Sequence, residues 1–387
     1  MKRFIATTLA AVMTLAALAF MTATPATAAD DIKVGAVLAV TGGASFLGGP
    51  EARTLEMMVE EINANGGVNG HKIDLIIKDT AADPEKAISF TKQLIEEDKV
   101  FAILGPSTSG ETMKIKNIAE EAKTILISCA AAEVIVNPVA KYVFKTPQKD
   151  NHAVEQIYMA MNKMGISKIA VVAGNTGFGK AGKDQLEKIA PQFGIEILMA
   201  EVYDKAATDL SAVVAKLMAN KDIQAVVNWS IVPAQAIIAK NMRQAGWDVP
   251  LFQSHGFGNI KYVEAAGAAA EGIIFPAGRL LIADVLPDDH PQKALLVKYK
   301  NDYEAKYKEA ASTFGGHGYD ALTILIKGIE KAGAVDSEKV RDAIENLQGV
   351  AGTGGVFNFS AEDHNGLALD AFEMLTVKDG KFVPYKQ

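Results

Sequence analysis

Ile32-Lys33-Val34-Gly35-Ala36-Val37-Leu38-Ala39-Val40-Thr41-Gly42 is apolar from end to end except for Lys33, and it stops at a Thr-Gly pair. So continuous a run, too short for an independent helix, reads as a strand buried on both faces, the kind found in parallel sheets covered by helices. The residues that follow fit this reading. From Pro50 onward Leu55, Met58, Val59 and Ile62 recur at helical spacing until Gly66-Gly67 ends the segment. Residues 73–77 form the next strand, Asp83 caps a helix with Pro84 at its first position, and residues 102–104 form a third strand. The opening phrase returns at Lys168-Ile169-Ala170-Val171-Val172 before Thr176-Gly177. The same grammar then restarts, with a strand at 169–173, a helix from Lys180, a strand at 195–202, a helix from Leu210 capped by Asp209, and a strand at 225–228. The fold class is therefore α/β, as two lobes of parallel sheet covered by helices.

The length of 387 residues suits two domains at about 150 residues each. With 49% hydrophobic, 22% charged and 7% aromatic residues, the chain is neither disordered, collagen-like nor a disulfide scaffold. Its 39 basic and 46 acidic residues give a net charge of −7, so no general positive field exists to attract nucleic acid or anionic lipid. Residues 1–28 carry Lys2 and Arg3, an apolar run to Met21 and then Ala26-Thr27-Ala28. This pattern is expected to be a secretory signal cleaved after Ala28, in preference to a membrane anchor, because small residues follow the run and no basic stop-transfer flank does. The product should be exported, periplasmic and soluble. Cys129 is the only cysteine, so no intramolecular disulfide can form.

Motifs for chemistry are thin. Gly177-Phe178-Gly179-Lys180-Ala181-Gly182 matches the dinucleotide pattern GxGxxG, with Glu201 and Asp204 as candidate ribose ligands, and gives an oxidoreductase as one alternative function. Its register is poor, since Gly174, Asn175 and Thr176 separate strand and first glycine. The same stretch misses a P-loop because Ala181 stands where Ser or Thr must bind magnesium. The six histidines form no HxxH or HxxxH pair, Cys129 follows an apolar strand where a thiol packs as a small hydrophobe, and no GxSxG nucleophile occurs. No catalytic residue, metal or cofactor is therefore assigned. What remains is a set of polar or glycine-rich loops after strand ends, at 41–49, 105–112, 129–133, 174–179, 228–231 and 254–259, where open α/β sheets bind ligands. In the loop from Gly105 to Thr112, the hydroxyls of Ser107, Thr108 and Ser109 and the amides opening the next helix can hold a carboxylate, or the hydroxyls can serve only as caps.

Several phrases in order resemble the leucine/isoleucine/valine-type solute-binding proteins of ABC transporters. They are Thr41-Gly42-Gly43, the run from Glu60 to Gly70, Asp79-Thr80-Ala81-Ala82-Asp83-Pro84, Gly105-Pro106-Ser107-Thr108-Ser109, Thr208-Asp209-Leu210-Ser211-Ala212, Gly256-Phe257-Gly258-Asn259 and Gly318-Tyr319-Asp320-Ala321. The resemblance implies two doubly wound parallel-sheet lobes joined by a three-crossing hinge, with a ligand cleft between them, and delivery of a small molecule to a membrane ABC permease. It places the crossings near 145–150, 276–278 and 352–356. Lobe 1 is then 29–147 plus 278–353, and lobe 2 is 148–277 plus 354–387. It further implies that Ser109 and the loop from Ala130 to Ala132 hold the ligand carboxylate, Ala132 by its backbone amide alone because the family's usual Thr is missing there. The family's aromatic residue falls at Phe178. The acid that holds an amino acid's ammonium falls at His255, and no Asp or Glu lies between Asp248 and Glu264. Neutral imidazole cannot act as a counter-ion. The expected ligand is therefore a small carboxylate with an apolar body, amine-free and aromatic or branched, beside Phe46, Leu47, Phe178, Trp229 and Phe257. An apolar amino acid and a ligand-sensing receptor subunit are the alternatives.

Overall fold

The computed structural model describes residues 30–386, so the expected signal segment lies outside the described residues. Strand β1 (Ile32–Leu38) pairs in parallel with β2 (Ile73–Asp79) and β3 (Ala102–Leu104). With β4 (Ile125–Ser128) and β5 (Val143–Lys145) they form one parallel sheet in the order β2-β1-β3-β4-β5. Side chains alternate between the faces of a strand, so β1 feeds two cores. Val34, Ala36 and Leu38 enter the core that includes Leu55, Leu322 and Leu325, whereas Val37 joins Ile103 and Leu126 on the opposite face. Gly35 points the same way as Val37, and a Cβ there would lie 2.9 Å from Leu94 Cδ1.

The second sheet is built from β6 (Lys168–Gly174), β7 (Glu196–Tyr203), β8 (Ala225–Trp229), β9 (Leu251–Gln253) and β10 (Ile274–Ala277), all parallel. A short hairpin, β11 (Val350–Ala351) and β12 (Val356–Phe357), stands apart. The last strands, β13 (Glu373–Lys378) and β14 (Lys381–Pro384), add antiparallel edges to give the order β14-β13-β10-β9-β8-β6-β7. The architecture is thus α/β in two lobes. Among the described residues, no helix is long and apolar enough to cross a membrane.

Asp83 is the cap read from sequence: it accepts from Glu85 N at 2.8 Å and opens the helix Pro84–Gln93. Asp209 is not, because the helix Ser211–Met218 starts at Ser211 rather than Leu210 and Leu210 holds the cap position; Asp209 accepts from Ser211 N at 2.9 Å one residue ahead of it. The helix expected from Pro50 starts earlier, at Ser45, and runs to Ala64 with the proline inside it. Pro50 has no N–H to return to the carbonyl of Phe46. Asn259 Nδ2, from the loop after β9, donates to that carbonyl at 2.9 Å instead.

Three chain segments meet between the lobes. Gln148 Nε2 donates to Gly354 O at 2.7 Å, and a Cβ on Gly278 would lie 2.8 Å from Gln148 Nε2 and 3.7 Å from Thr353 O. The third crossing nevertheless falls later than the resemblance implies. Phe357, Phe359, Leu367 and Ala371, assigned above to lobe 2, pack into the first lobe's core, where Phe359 meets Phe144 of β5 edge-on at 5.9 Å. The chain enters the second sheet only at Glu373.

Candidate functional site

Loops at the C-terminal ends of both sheets line a narrow inner cavity of about 20 Å³, and beside it a wider cleft of about 610 Å³ opens between Ala44, Ala82, Glu111, Gly177, Phe178 and Ile231. From the first sheet come Leu47, Ser107, Ser109, Cys129, Ala130, Ala131 and Pro147. From the second come Phe178, Ile231, His255 and Gly256, and the helix Thr313–Ala332 adds Phe314 and His317. This is the crevice at which open α/β sheets take ligands. The inner cavity has a volume near that of a single water molecule, so its walls must part to admit anything larger. The lobes touch across the cleft. The helix Ser109–Glu121 and the helix Gly177–Ile189 meet N-terminus to N-terminus, where a Cβ on Gly177 would lie 2.7 Å from Gly110 Cα. Gln185 Nε2 donates to Glu133 Oε2 at 2.8 Å.

The hydroxyls after β3 divide their tasks. Thr108 is the cap, accepting from Glu111 N at 3.3 Å. Ser109, buried at the next position, lines the cavity and accepts from Ala132 N at 3.2 Å. Ser107 lines the cavity but accepts from Ala39 N at 3.0 Å and is hydrogen-bonded to Glu51. Burial drives the Glu51 carboxyl up to about 8, against the lowering effect of the Ser107 bond, so it is uncharged at neutral pH.

The opposite wall is aromatic and basic. His255 sits edge-on to Phe178 at 5.3 Å and to Trp229 and Phe372 at 5.6 Å each. Neither of its ring nitrogens has a hydrogen-bond partner, nor does Nδ1 of His317. Burial, then Lys145 and His317, hold His255 well below the usual imidazole range. Burial and Lys145 push His317 down to about 3. Both rings are neutral, and each has an N–H to donate. None of the residues lining the cavity is acidic.

Of the residues singled out in the sequence, Ser107, Ser109, Ala130, Leu47, Phe178 and His255 line this cavity, and four do not. Ala132 spends its amide on Ser109. Trp229 is fully buried behind the wall, packed on Phe178 at 5.6 Å. Phe46 turns outward to the edge of Tyr262 at 5.3 Å and lies under Lys261. Phe257 likewise stacks on Tyr262 inside the second core. His317 and Phe314 were missed, although His317 immediately precedes the quoted Gly318-Tyr319-Asp320 phrase. The glycines at 177–182 have packing reasons. A Cβ on Gly179 would lie 1.9 Å from Gly174 O, and one on Gly182 would lie 1.9 Å from Trp229 Nε1. Among the described residues no group of three or more His, Cys, Asp or Glu could hold a metal ion.

Two α/β lobes that meet over a small cavity at their strand ends define the class, a two-lobed ligand-binding protein. The chain belongs to the periplasmic binding protein family, whose pattern matches residues 31–381. Within it the chain is of the branched-chain amino acid ABC type. The leucine-, isoleucine-, valine-, threonine- and alanine-binding protein of Pseudomonas aeruginosa is 29% identical over 320 residues, 82% of this chain and 83% of its own. An extracellular ligand-binding receptor from Rhodopseudomonas palustris HaA2 superposes with a TM-score of 0.86 at 26% identity, covering 92% of this chain and 99% of that one. An ABC-transporter solute-binding protein of R. palustris, solved in complex with benzoate, shares the fold at a TM-score of 0.80 and 24% identity, over 92% and 95% of the two chains. These relatives are solute-binding proteins rather than enzymes, which retires the oxidoreductase alternative.

Proposed function

We propose that this protein is the exported, periplasmic binding component of an ABC uptake system and that its ligand is a small amine-free carboxylate with an apolar body, aromatic or branched, which it hands to a membrane permease. One observation carries the ligand assignment. The cavity wall holds two neutral, buried imidazoles with unpartnered ring nitrogens and no carboxylate. A carboxylate would accept from Ser109 Oγ and from an imidazole N–H, and the apolar body would lie against Leu47, Phe178, Ile231 and Phe314. An α-ammonium group would find acceptors in the imidazoles but no counter-charge, and burying it so costs several kcal/mol.

The second reading, an apolar amino acid, draws on the amino-acid-binding relative from P. aeruginosa. A thermal-shift screen of matched pairs separates the two, because a ligand at 100 times its Kd adds about 2.7 kcal/mol of stability. The acids should raise the melting temperature and their amino counterparts should not. A shift with leucine or valine alone would restore the second reading.

A further inference from the structure

We propose that Lys145 is a specificity determinant of the cleft: its ammonium, walled off from water directly behind the ligand cavity, supplies a positive charge that a bound carboxylate completes and that an α-ammonium group opposes. The inference rests on the reading of an amine-free carboxylate ligand and adds the residue that enforces it.

Lys145 ends β5 at the first crossing between the lobes and is 0% exposed. Its Nζ donates to three backbone carbonyls, Pro147 O at 2.8 Å, Ala131 O at 2.9 Å and Gln148 O at 3.2 Å. Pro147 and Ala131 are themselves cavity wall, so the charge lies one residue's thickness from the ligand space. Carbonyls satisfy its hydrogens but do not neutralise it, and among the described residues it forms no ion pair. Of the acids around it Asp150 exerts the strongest pull, and the other two are engaged elsewhere. Asp363 pairs with Lys149 at 2.8 Å, and Glu133 accepts from Gln185 and Asn137. Asp150 accepts from the backbone N–H groups of Glu133 and Asn151, its second oxygen having no partner. Lys149 adds like charge, and the neighbouring histidines, His152, His255 and His317, are all held neutral by burial together with this cation. His364 offers only its backbone carbonyl, to Lys145 N. A buried cation with partial compensation favours an anion placed beside it and disfavours a second cation.

A proton linkage follows. Burial, offset by Asp150, lowers the Lys145 ammonium to about 7, and burial, offset by Lys145, raises Asp150 to about 6. An anion in the cavity stabilises the protonated lysine, so binding takes up protons above pH 7. Affinity for an anion then falls as pH rises from about 7, by up to about tenfold per unit, until the complex's own higher pKa is reached.

The test uses the signal-free chain, with benzoate as the anionic probe and benzamide as its uncharged counterpart. Calorimetry in buffers of different ionisation enthalpy should show proton uptake on benzoate binding between pH 7 and 9 and none with benzamide. Lys145→Gln keeps two N–H donors for the carbonyls and removes the charge. It should abolish that uptake and cut the preference for benzoate over benzamide by tenfold or more. A folded Lys145→Gln that keeps the preference within about threefold would overturn the proposal. So would wild-type protein taking up no protons in that range, a result that stands even if the variant does not fold. If leucine binds the wild-type chain and benzoate does not, the amine-free reading fails, and this inference fails with it.

Discussion

Ser109 and Thr108 are adjacent hydroxyls at one helix start, yet only Thr108 caps it. Ser109 accepts from Ala132 N and lines the cavity, where the proposed ligand would take its O–H. Replacing it with alanine removes one hydrogen bond to a charged group, so Ser109→Ala should weaken ligand binding by about 1 to 3 kcal/mol and leave the fold intact. Unchanged affinity by calorimetry would displace the carboxylate from this position. Glu51, beneath the same loop, makes a second, separable prediction. Its carboxyl holds a proton to about pH 8 when folded, but only to about 4.3 in the unfolded chain. Between those values the folded state binds more protons, so this group's contribution to stability is full below pH 4 and is lost as pH rises toward 8. Glu51→Gln should therefore raise the denaturation midpoint at pH 8 far more than at pH 5. Equal shifts at the two pH values would show that Glu51 is ionised in the native state.

At the scale of elements, the two lobes are latched by what their helices lack. Pro50 strips the helix Ser45–Ala64 of one internal hydrogen bond, and Asn259 of the other lobe supplies the replacement at Phe46 O. The same asparagine accepts from Lys261 N at 3.0 Å to cap its own short helix. Asn259→Asp keeps the cap and loses the donor, so ligand affinity should drop about tenfold while the melting temperature of the ligand-free protein barely moves. A large fall in the ligand-free melting temperature would mean that the residue serves the fold instead. Gly177→Ala should act alike, because its Cβ would strike Gly110 only when the cleft is shut. Much of this level was legible beforehand. β1 could be read because its apolar run had to be buried on both faces, and the helix at 84 because Asp83 is a cap whose effect is local, whereas Asp209 stands one residue ahead of the cap position at Leu210. The start at Ser45 was hidden because its repair comes from a residue over 200 positions away. His317 escaped for the same reason: nothing local marks which face of the helix Thr313–Ala332 meets the cleft. Ala132 and Trp229 were misread because sequence order gives nearness to a loop, not the direction a group points.

At the scale of the whole molecule, two lobes face each other across the cavity at their strand ends, and we expect them to move as a hinge. Gln148, Gly278 and Gly354 meet side by side between the lobes, so a rotation there opens the cleft without unpacking either core. Ligand should lower the radius of gyration in solution scattering, and the ligand should be recovered chemically unchanged. The same radius with and without a bound ligand would remove the hinge from the account. The proposed ligand rests on chemistry: a cavity lined by Ser109 and two neutral histidines, with a cation behind its wall and no acid in its lining, favours an anion without an amine. The direct measurement is calorimetric titration, at one pH and salt concentration, of leucine and phenylalanine against 4-methylpentanoate and 3-phenylpropanoate, with benzoate alongside. The amine-free acids should bind at least about a hundredfold tighter than the amino acids of the same skeleton. Tighter binding of either amino acid would contradict it.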